Sequence, residues 1–378
     1  PLSVLTIYIM NNISNKTFVF CLIGFYVIYT LISRKIIPEF AMLFRIESEV
    51  DTVYKQLHHI ENEKFKSALL QSLQNRLKPT GYTSASAAIK DFHGILKKIE
   101  FRSNLVVSPI LQFILIWDIR QILSLNEWKK KNKHQLNDWF AVIAEMEVAV
   151  SVASLVYNEP DWCFPDMDEN YFHFKVEKIG HPLIPVETRI TNDFSMEGTG
   201  KIALITGSNM AGKSTFLRSM GVNIVLAQMG APVCARRMSL CGMKLISSMR
   251  VADNLAENTS TFYAELKKIK YIIETVNRRE HVFILLDEVL RGTNSTDRHK
   301  GSQALVRQLI LGRAVAVMAT HDTDLAHSES ADESVSNYHF EGKIQDDELY
   351  FDYKIKKGIC ESLNATTLMK KIGIHFQD

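Results

Sequence analysis

A glycine-rich stretch from Gly207 to Thr215 has residue types and spacing that suit phosphate binding. Gly207 is followed by four residues and then by Gly212, Lys213 and Ser214, which is the P-loop pattern. In such loops the backbone N–H groups and the start of the next helix point at phosphate oxygens. We expect Lys213 to reach the β- and γ-phosphates of ATP and Ser214 to bind Mg²⁺. The predicted nucleotide-binding residues are Gly207, Ser208, Asn209, Met210, Ala211, Gly212, Lys213, Ser214 and Thr215.

Two acidic residues and a histidine indicate hydrolysis rather than phosphate transfer to a second substrate. Asp287 and Glu288 follow an apolar segment, and Asp287 is a predicted Mg²⁺ ligand together with Ser214. Glu288 could hold the attacking water. His321 follows another apolar segment and could contact the γ-phosphate, although single histidines are mostly structural. The predicted catalytic residues of this ATPase are therefore Lys213, Glu288 and His321.

Short apolar segments must place these residues at one edge of a sheet. "KIALIT", "HVFILLD" and "RAVAVMAT" are typical of buried strands, and they end just before the glycine loop, Glu288 and His321. Ligands of open α/β sheets bind at the carboxyl ends of strands. Residues 159–378 are thus predicted to form an α/β P-loop NTPase domain. Two acids with a strand-end histidine favour the ABC-type branch, although the Leu-Ser-Gly-Gly-Gln signature of transporters is absent.

The part of the chain before residue 159 has a different pattern of apolar residues. Residues 41–158 place apolar side chains at three- and four-residue intervals, which predicts an all-α domain. Pro160 and Pro165 interrupt helix and mark the predicted domain boundary. The basic run over residues 129–135 is typical of a solvated helix end, with DNA contact as the alternative.

Residues 1–40 form a hydrophobic segment that could be a transmembrane hairpin. Its uncharged run over residues 18–33 is close to the lower limit of the roughly 17–25 residues that cross a bilayer. Arg34 and Lys35 follow the run and would face the cytoplasm. A buried core helix is the alternative. We expect a membrane span, with the ATPase domain on the cytoplasmic side of the inner or plasma membrane.

Composition limits the remaining possibilities. The chain has 378 residues, of which 46% are hydrophobic and 23% charged, so it is globular and long enough for two or three domains. A net charge of +2 gives no general electrostatic argument for nucleic acid. The five cysteines show no paired spacing, and we predict that they are reduced thiols.

Over about residues 136–376 the sequence resembles the MutS family of mismatch-repair ATPases. The similar segments, in order, are "GHPLI", "TGSNMAGKSTFLR", "STFYAEL", "LLDEVLRGTNSTD", "ATHDTDL" and "YKIKKGICESLNATTLMKKIGI". The resemblance implies ATP-dependent DNA binding by a dimer, here a homodimer, with two nucleotides between facing ATPase domains. Ser260 would then cap the γ-phosphate of the partner subunit in trans. Residues 187–192 would lie near the adenine.

Several residues depart from the family pattern. Ser208 and Ala211 stand where the family usually has Pro and Gly, whereas Leu290 and Arg298 replace usual glycines. Arg189 stands where many relatives have an aromatic residue. These departures bear on loop geometry and rate rather than on nucleotide binding. The family's Phe-x-Glu mismatch wedge has no counterpart, because no Phe of this chain is followed two residues later by Glu.

Three functions stay open at this point. The first is a DNA-associated MutS-type ATPase whose cycle opens and closes a dimer around DNA. The second is a membrane-anchored ABC-type ATPase with a protein or membrane target and no mismatch-recognition role. The third, a small-molecule kinase, leaves Glu288, His321 and the segment around Ser260 unexplained.

Overall fold

The computed structural model describes most of the chain. Its described residues are 45–79, 81–100, 117–208, 210–249, 261–330, 332–345 and 348–360, together with residues 6, 8, 14–21, 23, 24, 27, 31 and 43. The predicted site residues Asn209 and Ser260 lie outside this set.

The chain divides into two compact units, residues 1–151 and residues 152–378. Every regular element that the structure describes between residues 45 and 151 is a helix. These helices are α1 (Glu47–Asn62), α2 (Ala68–Arg76), α3 (Ala85–Glu100), α4 (Trp117–Asn132) and α5 (Leu136–Asn158), the last of which runs past residue 151. The predicted segment limits of 1–40, 41–158 and 159–378 stay predictions.

The helical unit has a core built from one face of each of four helices. Leu57 of α1, Leu73 of α2 and Ile89 of α3 meet Trp139 and Val142 of α5 in one buried cluster. The three-residue step between Trp139 and Val142 places both side chains on the same face of α5. The apolar spacing that predicted helices therefore corresponds to buried faces in this unit.

Helix α5 is the one described helix that is long and apolar enough to cross a membrane. Its first half faces the core through Trp139, while Phe140, Val148 and Val150 are exposed. Core helices of soluble proteins can have the same length and composition as membrane-spanning helices. The predicted span over residues 18–33 lies partly outside the described residues and stays a prediction.

The second unit combines strands and helices, which confirms the mixed α/β class. Its helices are α6 (Lys213–Gln228), α7 (Thr261–Asn277), α8 (Ser295–Leu311) and α9 (Thr323–Ser328). Its strands are β1 (Asp166–Asp168), β2 (His173–Ile179), β3 (Asn192–Glu197), β4 (Ile202–Thr206), β5 (Arg237–Cys241), β6 (Lys244–Ser248), β7 (Val282–Asp287), β8 (Val315–Ala319), β9 (Val335–Gln345) and β10 (Glu348–Lys357).

Two sheets organise this unit. The larger has the strand order β10-β9-β4-β8-β7-β6, in which all neighbours are parallel except the antiparallel β9–β10 pair. The smaller has the order β1-β5-β2-β3. In the larger sheet β8 lies between β4 and β7, so Ala319 is in register with both Ile205 and Asp287. The carboxyl ends of these three strands therefore meet at one edge.

Both faces of the larger sheet are buried, which explains why its central strands are apolar without alternation. In β4, Ala203 and Ile205 join the cluster that contains α6, whereas Ile202 and Leu204 join the cluster that contains α7 and α8. The three apolar segments chosen from the sequence are β4, β7 and β8.

The two faces of α5 predict different effects of neighbouring substitutions. Trp139 is 2% exposed and Phe140 is 53% exposed. We expect Trp139→Ala to lower the free energy of unfolding by about 3–5 kcal/mol, because it leaves a cavity in the core. The control Phe140→Ala should change it by about 0.5 kcal/mol or less. Urea-induced unfolding measures both, and equal losses would mean that the exposed face of α5 is covered by something else.

Candidate nucleotide-binding site

The glycine loop joins β4 to α6 through backbone conformations that require glycine at two positions. Gly207 has a φ of 142°, and a Cβ there would lie 2.5 Å from the carbonyl oxygen of Phe340. Gly212, at the N-cap of α6, has a φ of 107°. Any other residue at these positions would be strained or would push β9 away from the loop. The close packing of loop against strand therefore fixes the path of the backbone.

The side chain of Lys213 is folded back into this loop. It is 4% exposed, and its Nζ donates to the carbonyl oxygens of Gly207 at 2.7 Å and Ser208 at 2.9 Å. Burial lowers the pKa of Lys213 to about 8, against the opposing attraction of Glu288 and Asp287. The ammonium is therefore held by neutral carbonyl oxygens, which phosphate oxygens could replace.

Glu288 and His321 form a bonded pair next to Lys213. The Nε2 of His321 contacts one carboxylate oxygen of Glu288, and Arg291 contacts the other. The Nδ1 of His321 lies 3.5 Å from the Nζ of Lys213. An imidazole that donates from Nε2 to Glu288 can accept from Lys213 at Nδ1. The structure thus brings the three predicted catalytic residues together.

Glu288 carries its negative charge at neutral pH. Burial alone would raise the pKa of Glu288, but the hydrogen bond from His321 and the positive charges of Arg291 and Lys213 prevail and lower it. A carboxylate in this state can accept a proton from a nearby water.

Asp287 and Ser208 present polar atoms that lack a partner among the described residues. The Oδ1 of Asp287 and the Oγ of Ser208 are both buried without a hydrogen bond. Leaving such atoms unpaired is costly, so each needs an explanation. The Asp287 oxygen fits a divalent cation at the strand end.

A cation at this place would need oxygens from a bound phosphate. No group of three or more His, Cys, Asp or Glu side chains that could hold a metal occurs in the described part of the chain. Mg²⁺ is commonly held by one or two protein oxygens together with phosphate oxygens and waters. Asp287 with Ser214 in the first turn of α6 suits that arrangement.

A cavity of about 250 Å³ opens beside the loop where the adenine was predicted to lie. Its lining includes Thr188, Ile190 and Asn192 from the predicted segment, and Thr215 from α6. Arg189 is not among the residues that line this cavity, and its Nε donates to the carbonyl oxygen of Ile184 at 2.8 Å. The position that is aromatic in many relatives therefore contributes no ring to this cavity.

Tyr353 supplies an aromatic ring instead, and sequence reasoning missed it. Tyr353 lines the same cavity and packs against Gly212. It lies in an irregularity of β10 with a φ of 51°, held by Asn192, whose Nδ2 donates to the Tyr353 carbonyl oxygen at 3.0 Å. The two residues are 161 positions apart, so no local pattern marks Tyr353.

The loop after the acidic pair keeps a left-handed backbone despite its departure from the family pattern. Leu290 has a φ of 60°, a conformation that costs a non-glycine residue about 1–2 kcal/mol. Gly301 makes room for the leucine side chain, since a Cβ on Gly301 would lie 2.5 Å from Leu290 Cδ1. Leu290 therefore takes a backbone conformation that glycine adopts readily, and a nearby glycine accommodates its side chain.

A second cavity, of about 460 Å³, is lined by Glu288 and His321 among others. Arg298, the other departure from a usual glycine, lines it from an exposed position on α8. The cavity also contains the pair of His299 Nδ1 and Asp322 Oδ2, which are 2.7 Å apart. Asp322 additionally caps α9 by accepting from the N–H of Leu325.

The remaining predicted residues of the loop divide between buried and exposed positions. Ala211 is buried under the loop, and Met210 is exposed with a φ of 70°. The positions of Asn209 and Ser260 lie outside the part of the chain that the structure describes.

Comparison with known proteins places this site in a family. The family model of MutS domain V matches residues 203–374, a range that contains the glycine loop, the acidic pair and His321. This part of the chain belongs to the MutS family. The chain is 31% identical over 250 residues to the DNA mismatch repair protein MutS of Dinoroseobacter shibae. The aligned region covers 64% of this chain and 28% of that protein.

Other MutS family members show similar levels of identity. The DNA mismatch repair protein MutS of Aquifex pyrophilus is 31% identical over 256 residues, or 66% of this chain and 29% of that protein. The human MutS protein homolog 4 is 31% identical over 194 residues, or 49% of this chain and 20% of that protein. The chain spans less than a third of the length of these relatives.

The lowered pKa of Lys213 predicts that nucleotide binding takes up a proton above neutral pH. At about pH 9 a lysine with a pKa of about 8 is mostly uncharged, and phosphate favours its charged form, so binding should take up close to one proton. At about pH 7 the lysine is already charged and uptake should be small. Calorimetric titration with Mg²⁺ and ATP in buffers of different ionisation enthalpy measures this. Lys201→Met, a change of a half-buried lysine whose Nζ donates to the Glu333 carbonyl oxygen, is the control. Proton uptake that does not change with pH would contradict the assignment.

Proposed function

We propose that this chain is a MutS-type ATPase that binds and hydrolyses ATP with Mg²⁺ in an ABC-type P-loop domain. The observation that carries the proposal is that His321 contacts both Lys213 and Glu288 at the sheet edge where β4, β7 and β8 end. The match to MutS domain V over the same residues supports the proposal.

The residues have separate tasks in the proposed reaction. Lys213 exchanges the carbonyl oxygens of Gly207 and Ser208 for oxygens of the β- and γ-phosphates. Glu288 accepts a proton from the attacking water, while the water oxygen bonds to the γ-phosphorus and the bond to the ADP oxygen breaks. His321 holds Glu288 through Nε2 and keeps its carboxylate oriented.

Mg²⁺ would be held by the Ser214 hydroxyl and the Asp287 carboxylate, and when bound it neutralises charge on the phosphate oxygens. The unpartnered Oδ1 of Asp287 supports this role.

The proposed assembly is a homodimer that acts on DNA. ATP would be bound between two ATPase domains, with Ser260 of one subunit at the γ-phosphate of the other. The relatives are named DNA mismatch repair proteins, which supports DNA as the partner. Mismatch reading is not proposed for these residues, because the chain has no Phe-x-Glu sequence.

Two substitutions should separate nucleotide binding from hydrolysis. Lys213→Ala should weaken ATP binding about 10- to 100-fold, because charged hydrogen bonds to phosphate are lost. Glu288→Gln should bind ATP normally and hydrolyse it about 100-fold more slowly or worse, since an amide is a poor proton acceptor. Binding of a fluorescent ATP analogue and phosphate release measure the two effects. Lys201→Ala, at a half-buried lysine, and Glu274→Gln, at an exposed glutamate, are the matched controls. Equal loss of ATP binding in both site variants would refute the separate roles.

The second candidate function is that of a membrane-anchored ATPase. It differs from the first in the place where the ATPase acts. Residues 18–33 are uncharged and α5 is apolar enough to cross a bilayer. A crossing by residues 18–33, with Arg34 and Lys35 inside, keeps the ATPase domain in the cytoplasm. A further crossing by α5 would place that domain outside, away from ATP. We therefore propose that residues 18–33 are the anchor and that α5 is a core helix.

Removal of the first 37 residues tests the anchor. The full chain should sediment with membranes and require detergent, whereas a chain that starts at Pro38 should stay in the supernatant and still bind ATP. Fractionation followed by ATP-analogue binding gives both results. A full chain that is soluble without detergent, or a shortened chain with an unfolded ATPase domain, would show instead that residues 18–33 belong to a protein core.

A further inference from the structure

One face of α7 runs from the core of the second unit to the loop after Glu288. Ile269, Ile272 and Val276 are buried in the cluster beneath the larger sheet. Continuing the alternating three- and four-residue steps toward the start of the helix leads to Glu265 and Phe262, so both lie on this same face. The buried residues fix the helix against the sheet. The start of the helix, which carries Phe262 and Glu265, is held in place by them.

The first two turns of α7 contact the loop at two points. The Oε1 of Glu265 accepts a hydrogen bond from the backbone N–H of Leu290. The side chain of Phe262 packs against the backbone of Gly292. A Cβ added to Gly292 would lie only 2.4 Å from the Cβ of Phe262. Glu265 is half-buried, which protects its hydrogen bond from competition by water.

The loop needs such support because its backbone is strained. Glu288 and Leu290 both have left-handed backbones, with φ values of 51° and 60°. Non-glycine residues stay in this conformation only where their surroundings hold them. The N–H of Glu288 donates to the Ala319 carbonyl oxygen at 2.9 Å, and Val289 is buried in the core. Glu265 supplies the restraint on the far side of Val289.

We propose that Glu265 is a positioning residue for Glu288, acting through the Leu290 amide. The inference rests on the proposed ATPase function, in which the Glu288 carboxylate must stay oriented toward the attacking water. Helix α7 begins immediately after Ser260, the residue that the family resemblance assigns to the partner's γ-phosphate.

Three variants of Glu265 test the role of its acceptor oxygen. Glu265→Ala removes the acceptor, Glu265→Asp withdraws it by one methylene, and Glu265→Gln keeps an oxygen in place. Glu274→Ala, an exposed position on the same helix, is the matched control. Single-turnover ATP cleavage should be about tenfold or more slower in the Ala and Asp variants, because small displacements of a catalytic group slow the chemical step. ATP affinity should stay within about twofold, and Glu265→Gln should restore most of the rate.

Hydrogen exchange of the Leu290 amide gives a readout that does not depend on activity. Exchange should be faster in the Ala and Asp variants and unchanged in the Gln variant and the control. Wild-type cleavage with unchanged exchange in Glu265→Ala and Glu265→Asp would overturn the positioning role. So would an equal loss of cleavage in Glu265→Gln and Glu265→Ala. If the wild-type chain itself fails to cleave ATP, the proposed function fails, and the exchange data alone decide whether Glu265 holds the loop.

Discussion

A buried ammonium group is the constraint on which this site depends. Removing the charge of Lys213 from water is unfavourable, and the carbonyl oxygens of Gly207 and Ser208 offset only part of that cost. The loop can bring those carbonyls to the ammonium because Gly207 has no side chain to collide with Phe340. The lowered pKa of Lys213 shows that the charge is still incompletely compensated. A phosphate group would complete the compensation.

The neighbouring strands supply the opposite charges. Because β8 lies between β4 and β7, the glycine loop, His321 and the acidic pair come to one edge of the sheet. His321 links the ammonium of Lys213 to the carboxylate of Glu288, and Arg291 balances that carboxylate from the other side. Asp287 is left with an unpaired buried oxygen, which suits a cation that arrives with the nucleotide.

Local sequence patterns predicted the parts of this arrangement that depend on residues close to one another in the sequence. The runs that became β4, β7 and β8 are apolar throughout because both sheet faces are buried, and their strand ends indicated which polar residues would meet. Four features could not be predicted: the place of Tyr353 in the cavity, the hydrogen bond from Arg189 to Ile184, the accommodation of Leu290 by Gly301, and the hydrogen bond from the Leu290 amide to Glu265. Each depends on side-chain direction or on residues that meet only in the folded chain. The membrane span over residues 18–33 and the trans role of Ser260 stay predictions.

The most direct test of the central claim is a crystal structure with Mg²⁺ and a non-hydrolysable ATP analogue. The account predicts that Lys213 Nζ leaves the carbonyl oxygens of Gly207 and Ser208 for the β- and γ-phosphate oxygens. Asp287 should then face Mg²⁺, and Glu288 should keep its contact with His321. A nucleotide bound elsewhere, with Lys213 still on the two carbonyl oxygens, would contradict the account.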